Sequence, residues 1–204
     1  KPAPLFLSLE HWIYKHTIYY LLKRATGLQN GRFFPTAGSL LSEPINEFLN
    51  AVDIPIIIGY GLSETCATVS AYPERGFVLS SIGEVFEGIE VRIAPEDNEI
   101  QLRGETIMPG YYHNEAANAE AFTEDGWFRT GDAGLLEGRT LFFTERLKDL
   151  YKTANGKYIA PQQIENLLTS HRLFEQVAVV ADGYKFVSAL IYPNWSLLIS
   201  LAQE

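Results

Sequence analysis

The stretch Gly59-Tyr60-Gly61-Leu62-Ser63-Glu64-Thr65 packs two glycines, an aromatic ring, two hydroxyls and one carboxylate into a single short run. Glycine lets a backbone approach a ligand closely, hydroxyls bond phosphate oxygens, and a carboxylate can hold a divalent cation. The run therefore suits a nucleotide phosphate and its metal. Two other patterns share its letters. The dinucleotide fingerprint G-x-G-x-x-G needs a third glycine for close helix–strand packing, and Glu64 stands there. The nucleophile elbow G-x-S-x-G would make Ser63 a nucleophile, with His113 or His171 as its base, but Thr65 replaces the last glycine. A structural turn with Tyr60 as packing is the plain alternative.

A second run, Gly126-Trp127-Phe128-Arg129-Thr130-Gly131-Asp132, sets a carboxylate beside a glycine at the expected end of a short strand. An Asp there can accept both hydroxyls of a ribose, or it can simply close a turn with Trp127 and Phe128 in the core. A third run starts at Arg146 and continues through Glu165. Arg146, Lys148, Lys152 and Lys157 gather cations in an otherwise acidic chain, where they can neutralise phosphate, and Asn155-Gly156 reads as a hairpin turn able to reach a ligand. A solvated surface hairpin fits the same letters. A Walker A loop does not, because Tyr151 and Tyr158 occupy the positions of its first glycine and its Ser or Thr.

The elements that must carry these runs follow from periodicity. Leu9, Trp12, Ile13, Ile18, Leu21 and Leu22 recur at helical spacing and predict a helix over residues 5–26. Ser42 can cap a second helix with Ile45, Phe48, Leu49 and Val52 on one face. The apolar run from Ile54 to Ile58 predicts a strand buried on both faces that ends at Gly59. Ile89, Val91 and Ile93 alternate with polar residues and turn at 95–98 into Ile100 and Leu102, which predicts a half-buried antiparallel hairpin. Asn114 caps an Ala-rich helix, Asp125-Gly126 turns, and short strands follow at 127–128 and 141–143. After Asp149 the pattern is strand, turn, strand, a helix opened by Pro161, then strands at 177–180 and 186–192, with Ile164, Leu167, Leu168, Val177, Val179, Phe186 and Leu190 as core. The expected fold class is the end of a larger α/β lobe with an antiparallel β-barrel or meander, followed by a small α+β lobe. The join is expected near Arg146 to Asp149.

With 204 residues, 47% of them hydrophobic and 20% charged, the chain can bury a substantial core. One cysteine excludes an internal disulfide. A net charge of −9 argues against nucleic acid as a partner, since displacing phosphate counterions needs a basic face. The apolar stretch 5–28 is broken by Glu10, His11, Lys15, His16, Lys23 and Arg24, so it is not expected to span a membrane.

Taken in order, Gly59 to Thr65, the run from Gly104 through Pro109-Gly110-Tyr111-Tyr112 to Asp132, and Lys152 to Glu165 resemble the acyl-adenylate-forming (AMP-binding) superfamily. The resemblance is greatest to a long-chain fatty acyl-CoA ligase and covers roughly residues 31–195. It implies an acyl-CoA synthetase-like fold, with residues 1–147 as the C-terminal part of the AMP-binding domain and 148–204 as a small C-terminal domain. It implies ATP-dependent conversion of a fatty acid to acyl-AMP and then to acyl-CoA, with ATP, Mg²⁺ and CoA as cofactors and co-substrates. It wraps the first turn, Gly61 included, around the adenylate, with Tyr60 against the adenine ring, Ser63 on the α-phosphate and Glu64 on Mg²⁺. Asp132 would take the ribose, Arg146 the ribose or phosphate, Lys148 the hinge between two half-reactions, and Gly156 the pantetheine tunnel. Gly38 alone remains of the paired glycines the family places beside adenine. Ser63 stands where the family more often has Thr.

The resemblance also implies a cytoplasmic enzyme, with peripheral membrane contact in the full-length form. No Ser/Thr/Gly-rich phosphate loop precedes residue 31 and no late C-terminal lysine follows, so the chain alone is expected to be a fragment that forms no acyl-AMP. A serine hydrolase built on Ser63, an adenylating domain that loads a carrier protein, and an inactive binding module remain open at this point.

Overall fold

The computed structural model describes residues 5–38, 41–73, 76, 78–154 and 156–203. The chain divides into two compact units. The first comprises Lys1–Val91, Leu102–Phe128 and Leu136–Phe142, and the second Arg92–Gln101, Arg129–Leu135 and Phe143–Glu204.

In the first unit, the single helix expected over residues 5–26 is two, α1 (Leu5–His16) and α2 (Ile18–Ala25). The break falls at Thr17, with φ −119° and ψ −83°. Its hydroxyl donates to the Ile13 carbonyl at 2.7 Å, and such back-bonding by a β-branched residue bends a helix. Lys15 and Lys23 reach from these helices to the Asp53 carboxylate at 3.1 and 2.8 Å. Burial alone would raise the pKa of Asp53, but the hydrogen bonds and charges of Lys23 and Lys15 outweigh it and hold the carboxyl below its ordinary range.

Helix α3 (Glu43–Ala51) follows Ser42 at its N-cap position, although the Ser42 hydroxyl makes no capping bond. The apolar face expected here packs inward only in part: Val52 is buried and Leu49 half-buried, whereas Ile45 and Phe48 are exposed and the polar Asn46 is buried. The helix is turned so that Asn46 Nδ2 donates to the Tyr72 hydroxyl at 3.3 Å.

Strand β1 (Phe34–Thr36) pairs in parallel with β2 (Ile56–Leu62), Phe34 opposite Ile56. β2 pairs antiparallel with β3 (Ala67–Ala71), and β3 with β4 (Glu84–Val85). β5 (Ile89–Ile93), β6 (Glu99–Gly104), β7 (Phe128–Glu137) and β8 (Thr140–Arg146) complete one mixed sheet of order β1-β2-β3-β4-β8-β7-β6-β5. The expected buried strand is corrected in two respects. It starts at Ile56 and runs on through Gly59-Tyr60-Gly61 to Leu62, and it is half-buried along its whole length. Val69, Leu102 and Leu141 are fully buried in the first unit's core.

The β5–β6 hairpin turns at Asn98, with φ +59°. Its alternation fails on β6, where Glu99 and Gln101 are buried as well as Ile100 and Leu102. Helix α4 (Glu115–Ala121) opens as expected, with Asn114 Oδ1 accepting the Ala117 N–H at 3.2 Å.

The second unit contains the hairpin β9 (Tyr151–Lys152) and β10 (Tyr158–Ile159), helix α5 (Pro161–Thr169), the antiparallel pair β11 (Phe174–Val180) and β12 (Ser188–Pro193), and α6 (Trp195–Gln203). Asn155 of the expected turn lies outside the described residues, and Gly156 has φ +78°. α5 packs on β11, where Glu165 Oε1 accepts the Val179 N–H at 2.7 Å. Of the expected core, Val179 is buried and Ile164, Leu168 and Val177 are half-buried, whereas Leu167, Phe186 and Leu190 are exposed. The pairing explains Leu190: it stands opposite Ala178, whose side chain points away from the face shared by Val177 and Val179. Among the described residues no helix is long and apolar enough to cross a membrane.

Candidate functional site

The first constellation lies wholly in the first unit. Because β2 extends to Leu62, the turn is shifted to a 3₁₀ segment, Ser63–Thr65, which leads straight into β3. Thr65 is fully buried and ties the turn together: its Oγ1 accepts the Leu62 N–H at 3.0 Å and donates to the Ala67 carbonyl at 2.8 Å. A Cβ on Gly61 would strike the Ala67 carbonyl, so only glycine fits there. Tyr60 faces Ser70 across the β2–β3 ladder, beside a bulge at Gly61. The hydroxyl-bearing Ser63 is exposed and Glu64 half-buried. Gly38 follows β1 with φ +90° and open space where a side chain would be.

Glu64 has two partners brought from far along the chain. Its carbonyl accepts the Met108 N–H at 2.8 Å, and its Oε1 accepts the Tyr111 hydroxyl at 2.9 Å. Tyr111 is clamped by Asn118 of α4, whose Oδ1 accepts the Tyr111 N–H at 2.6 Å and whose Nδ2 donates to the Tyr111 carbonyl at 3.0 Å. Burial, then the hydrogen bond and charge of Glu64, raise the Tyr111 pKa, so the phenol keeps its proton and acts as donor. Neither Tyr111 nor Thr65 carries an assigned role in the sequence reading.

The donor set at Glu64 is a single carboxylate, and among the described residues no three His, Cys, Asp or Glu gather as a metal cage. That suits Mg²⁺, which keeps its waters and binds through one or two carboxylates together with substrate phosphates. The same local geometry disfavours the other readings of this run. A nucleophile elbow and a dinucleotide fingerprint both need strand, turn and helix, and here the turn passes into an antiparallel strand. Among the described residues no hydrogen bond joins Ser63 to a histidine. The His113 ring packs against Tyr112, and His171 Nδ1 accepts the Leu173 N–H at 3.4 Å.

The second constellation lies wholly in the second unit. Asp132 is not at a strand end but inside β7, and it is 4% exposed. Gly131 just before it has φ +74°, which mimics a turn in sequence while the strand continues. The Thr130 hydroxyl accepts the Asp132 N–H at 3.1 Å and donates to the Ile100 carbonyl at 2.7 Å. Arg146 Nε lies 3.8 Å from Asp132 Oδ1 and 3.9 Å from Asp149 Oδ2. Lys148, in a 3₁₀ turn at Leu147–Asp149, lays its stem against Gly131. Asp132, Arg146 and Lys148 are thus neighbours. Gly156 is in the β9–β10 turn, where its N–H donates to the Thr153 carbonyl at 2.8 Å. Lys152 stands over the Tyr158 ring at 5.6 Å.

No family model matches the chain. A long-chain-fatty-acid–CoA ligase of Mycobacterium bovis is 37% identical over 188 residues, which is 92% of this chain and 31% of the ligase. Long-chain-fatty-acid–CoA ligase 1 of Saccharomyces cerevisiae is 33% identical over 199 residues, 92% of this chain and 28% of that protein. The chain belongs to the acyl-adenylate-forming superfamily. The relatives that it matches include long-chain fatty acyl-CoA ligases. It spans about a third of the length of those curated relatives. A solved structure of O-succinylbenzoate coenzyme A synthetase from Bacillus subtilis, in complex with ATP and magnesium ion, has the same fold. It aligns with a TM-score of 0.67 at 25% identity, over 83% of this chain and 40% of that one.

Proposed function

We propose that this superfamily member takes part in ATP-dependent activation of a long-chain fatty acid, first to acyl-AMP with release of pyrophosphate, then to acyl-CoA with release of AMP. The observation that carries the reading is Asp132, a buried carboxylate beside a cation, in the run that the resemblance assigns to the ribose. Long-chain fatty acids are favoured over succinylbenzoate because long-chain ligases match along 92% of the chain.

A fatty carboxylate resists attack by a thiol, because oxide would have to leave. Joining it to AMP supplies a phosphate leaving group that cations can stabilise. In this reading Tyr60, Gly61 and Gly38 lie along adenine, and the Ser63 hydroxyl donates to the α-phosphate. Magnesium, when bound, neutralises phosphate charge. Glu64 would hold it, with Tyr111 fixing the direction of that carboxylate. Asp132 accepts from the two ribose hydroxyls, and Arg146 donates to the ribose or phosphate. Lys148 serves as the pivot between residues 1–147 and 148–204, so that different groups serve the two half-reactions, and Gly156 lines the path of the pantetheine arm.

Titrating AMP into the isotope-labelled chain tests the reading. Resonances of Tyr60, Ser63, Asp132 and Arg146 are expected to shift together along one binding curve. A spectrum in which none of them responds would refute it.

A further inference from the structure

Glu99 is among the few charged side chains that the fold buries, at 5% exposure, and the adenylation chemistry gives it no task. It stands on β6 in the second unit. Its Oε1 accepts the Gly131 N–H at 3.0 Å, and its Oε2 accepts Gln101 Nε2 at 3.0 Å. Gln101 is buried as well, its Oε1 accepting from Arg92 Nε at 2.7 Å, and Arg129 Nη1 lies 3.9 Å from Glu99 Oε2.

Burying a carboxylate is costly, and hydrogen bonds with a nearby cation offset that cost only in part. Its neighbour on the same face of the strand, Gln101, is polar and buried too, whereas Ile100 and Leu102 fill the opposite face. What the carboxylate adds is an acceptor aimed at one particular peptide. In a regular ladder the residue 131 N–H would donate to a neighbouring strand's carbonyl. Here, with Gly131 in the left-handed region, it donates to a side chain instead. The residue before it is fixed in a similar way, through the Thr130 hydroxyl to the Ile100 carbonyl. Residues 130–132 are therefore tied to β6 by Glu99 and Thr130, one peptide away from the Asp132 carboxylate.

We propose that Glu99 is a positioning residue, which fixes the Gly131 peptide and so sets the direction in which Asp132 offers its carboxylate to a ribose diol. The proposal rests on the adenylate reading for its ligand, and on Glu99, Gly131 and Asp132 alone for its geometry. It requires an acceptor at residue 99 rather than a charge.

The test is calorimetry of AMP and of 2′,3′-dideoxy-AMP, which lacks the diol, on the wild-type chain, Glu99→Ala, Glu99→Gln, Asp132→Ala and the Glu99→Ala/Asp132→Ala double variant. Glu99→Ala should weaken AMP about tenfold and leave dideoxy-AMP unchanged, since misdirection affects only the diol contact. Glu99→Gln, which keeps an acceptor, should restore most of the loss. In the Asp132→Ala background the alanine at 99 should add nothing, because both act on one contact. Equal weakening of both nucleotides, full additivity in the double variant, or a folded Glu99→Gln protein that loses as much as the alanine variant would each overturn the proposal.

A wild-type chain that does not distinguish the two nucleotides would refute the ribose assignment. The positioning role is then decided without nucleotide, by the ¹³C resonance of the Asp132 carboxylate and the exchange rate of the Gly131 amide. Both should change in Glu99→Ala, and constancy of both would overturn it.

Discussion

The stem of Lys148 lies across the α-carbon of Gly131, so close that a methyl group added there would fall 2.9 Å from Lys148 Cε and 3.1 Å from Cδ. The residue that precedes Asp132 thus has two constraints of its own. Its φ of +74° suits glycine, and its missing side chain leaves the slot in which Lys148 rests. Gly131→Ala should cost about 1 to 2 kcal/mol in left-handed strain alone, with Lys148 displaced as well. Urea unfolding measures the loss, and a variant as stable as wild type would show that the Gly131 backbone relaxes freely.

Tyr111→Phe removes the phenol that holds Glu64. If Glu64 takes Mg²⁺, the variant should bind ATP alone as wild type does but gain less from added Mg²⁺. A typical hydrogen bond is worth about 0.5 to 1.5 kcal/mol, which bounds the difference. Calorimetry of ATP with and without Mg²⁺ reads it directly. An unchanged Mg²⁺ gain would leave Tyr111 with a packing role only.

Asp53 gives a pH prediction. Its carboxyl is held below its ordinary range in the folded state, where Lys23 and Lys15 outweigh burial. A depressed folded pKa contributes stability that is present above the unfolded value and is lost as pH falls through the folded one. Lys23→Met should therefore be less stable than wild type at neutral pH. The two proteins should converge as pH drops below the carboxylate range. A gap that persists at acid pH would assign the effect to the packing of the lysine stem instead.

How far the sequence discloses this arrangement depends on how local each signal is. Asn114 before α4, Pro161 opening α5 and the Gly126 turn are legible because one or two adjacent residues set them. Periodicity tells which residues share a face but not what lies opposite that face. Leu167 has helical spacing with Ile164 and Leu168 yet remains exposed, because α5 meets β11 along a narrower stripe. On β6, polar letters at Glu99 and Gln101 read as solvent-facing, and only the fold reveals Gly131 and Arg92 as their partners. Gly131 reads as a strand end because positive φ is rare inside strands. Tyr111 belongs to a run that carries the family resemblance, but its pairing with Glu64, 47 residues away, leaves no mark in the sequence.

Ser63→Ala separates phosphate binding from nucleophilic catalysis. One hydroxyl among several contacts should cost about 1 to 3 kcal/mol of AMP affinity and leave binding measurable. Neither protein should hydrolyse an activated ester without ATP. Hydrolysis by the wild type that vanishes in the variant would establish Ser63 as a nucleophile, against the geometry of its turn.

The most direct test of the account is the affinity of AMP for the wild-type chain and for Asp132→Ala, measured by calorimetry at one salt concentration. A buried carboxylate that accepts from both ribose hydroxyls should contribute about 1.5 to 3 kcal/mol for each bond, so the variant should bind AMP at least about a hundredfold more weakly. Equal affinity in the two proteins would return Asp132 to a structural role inside β7 and contradict the nucleotide assignment.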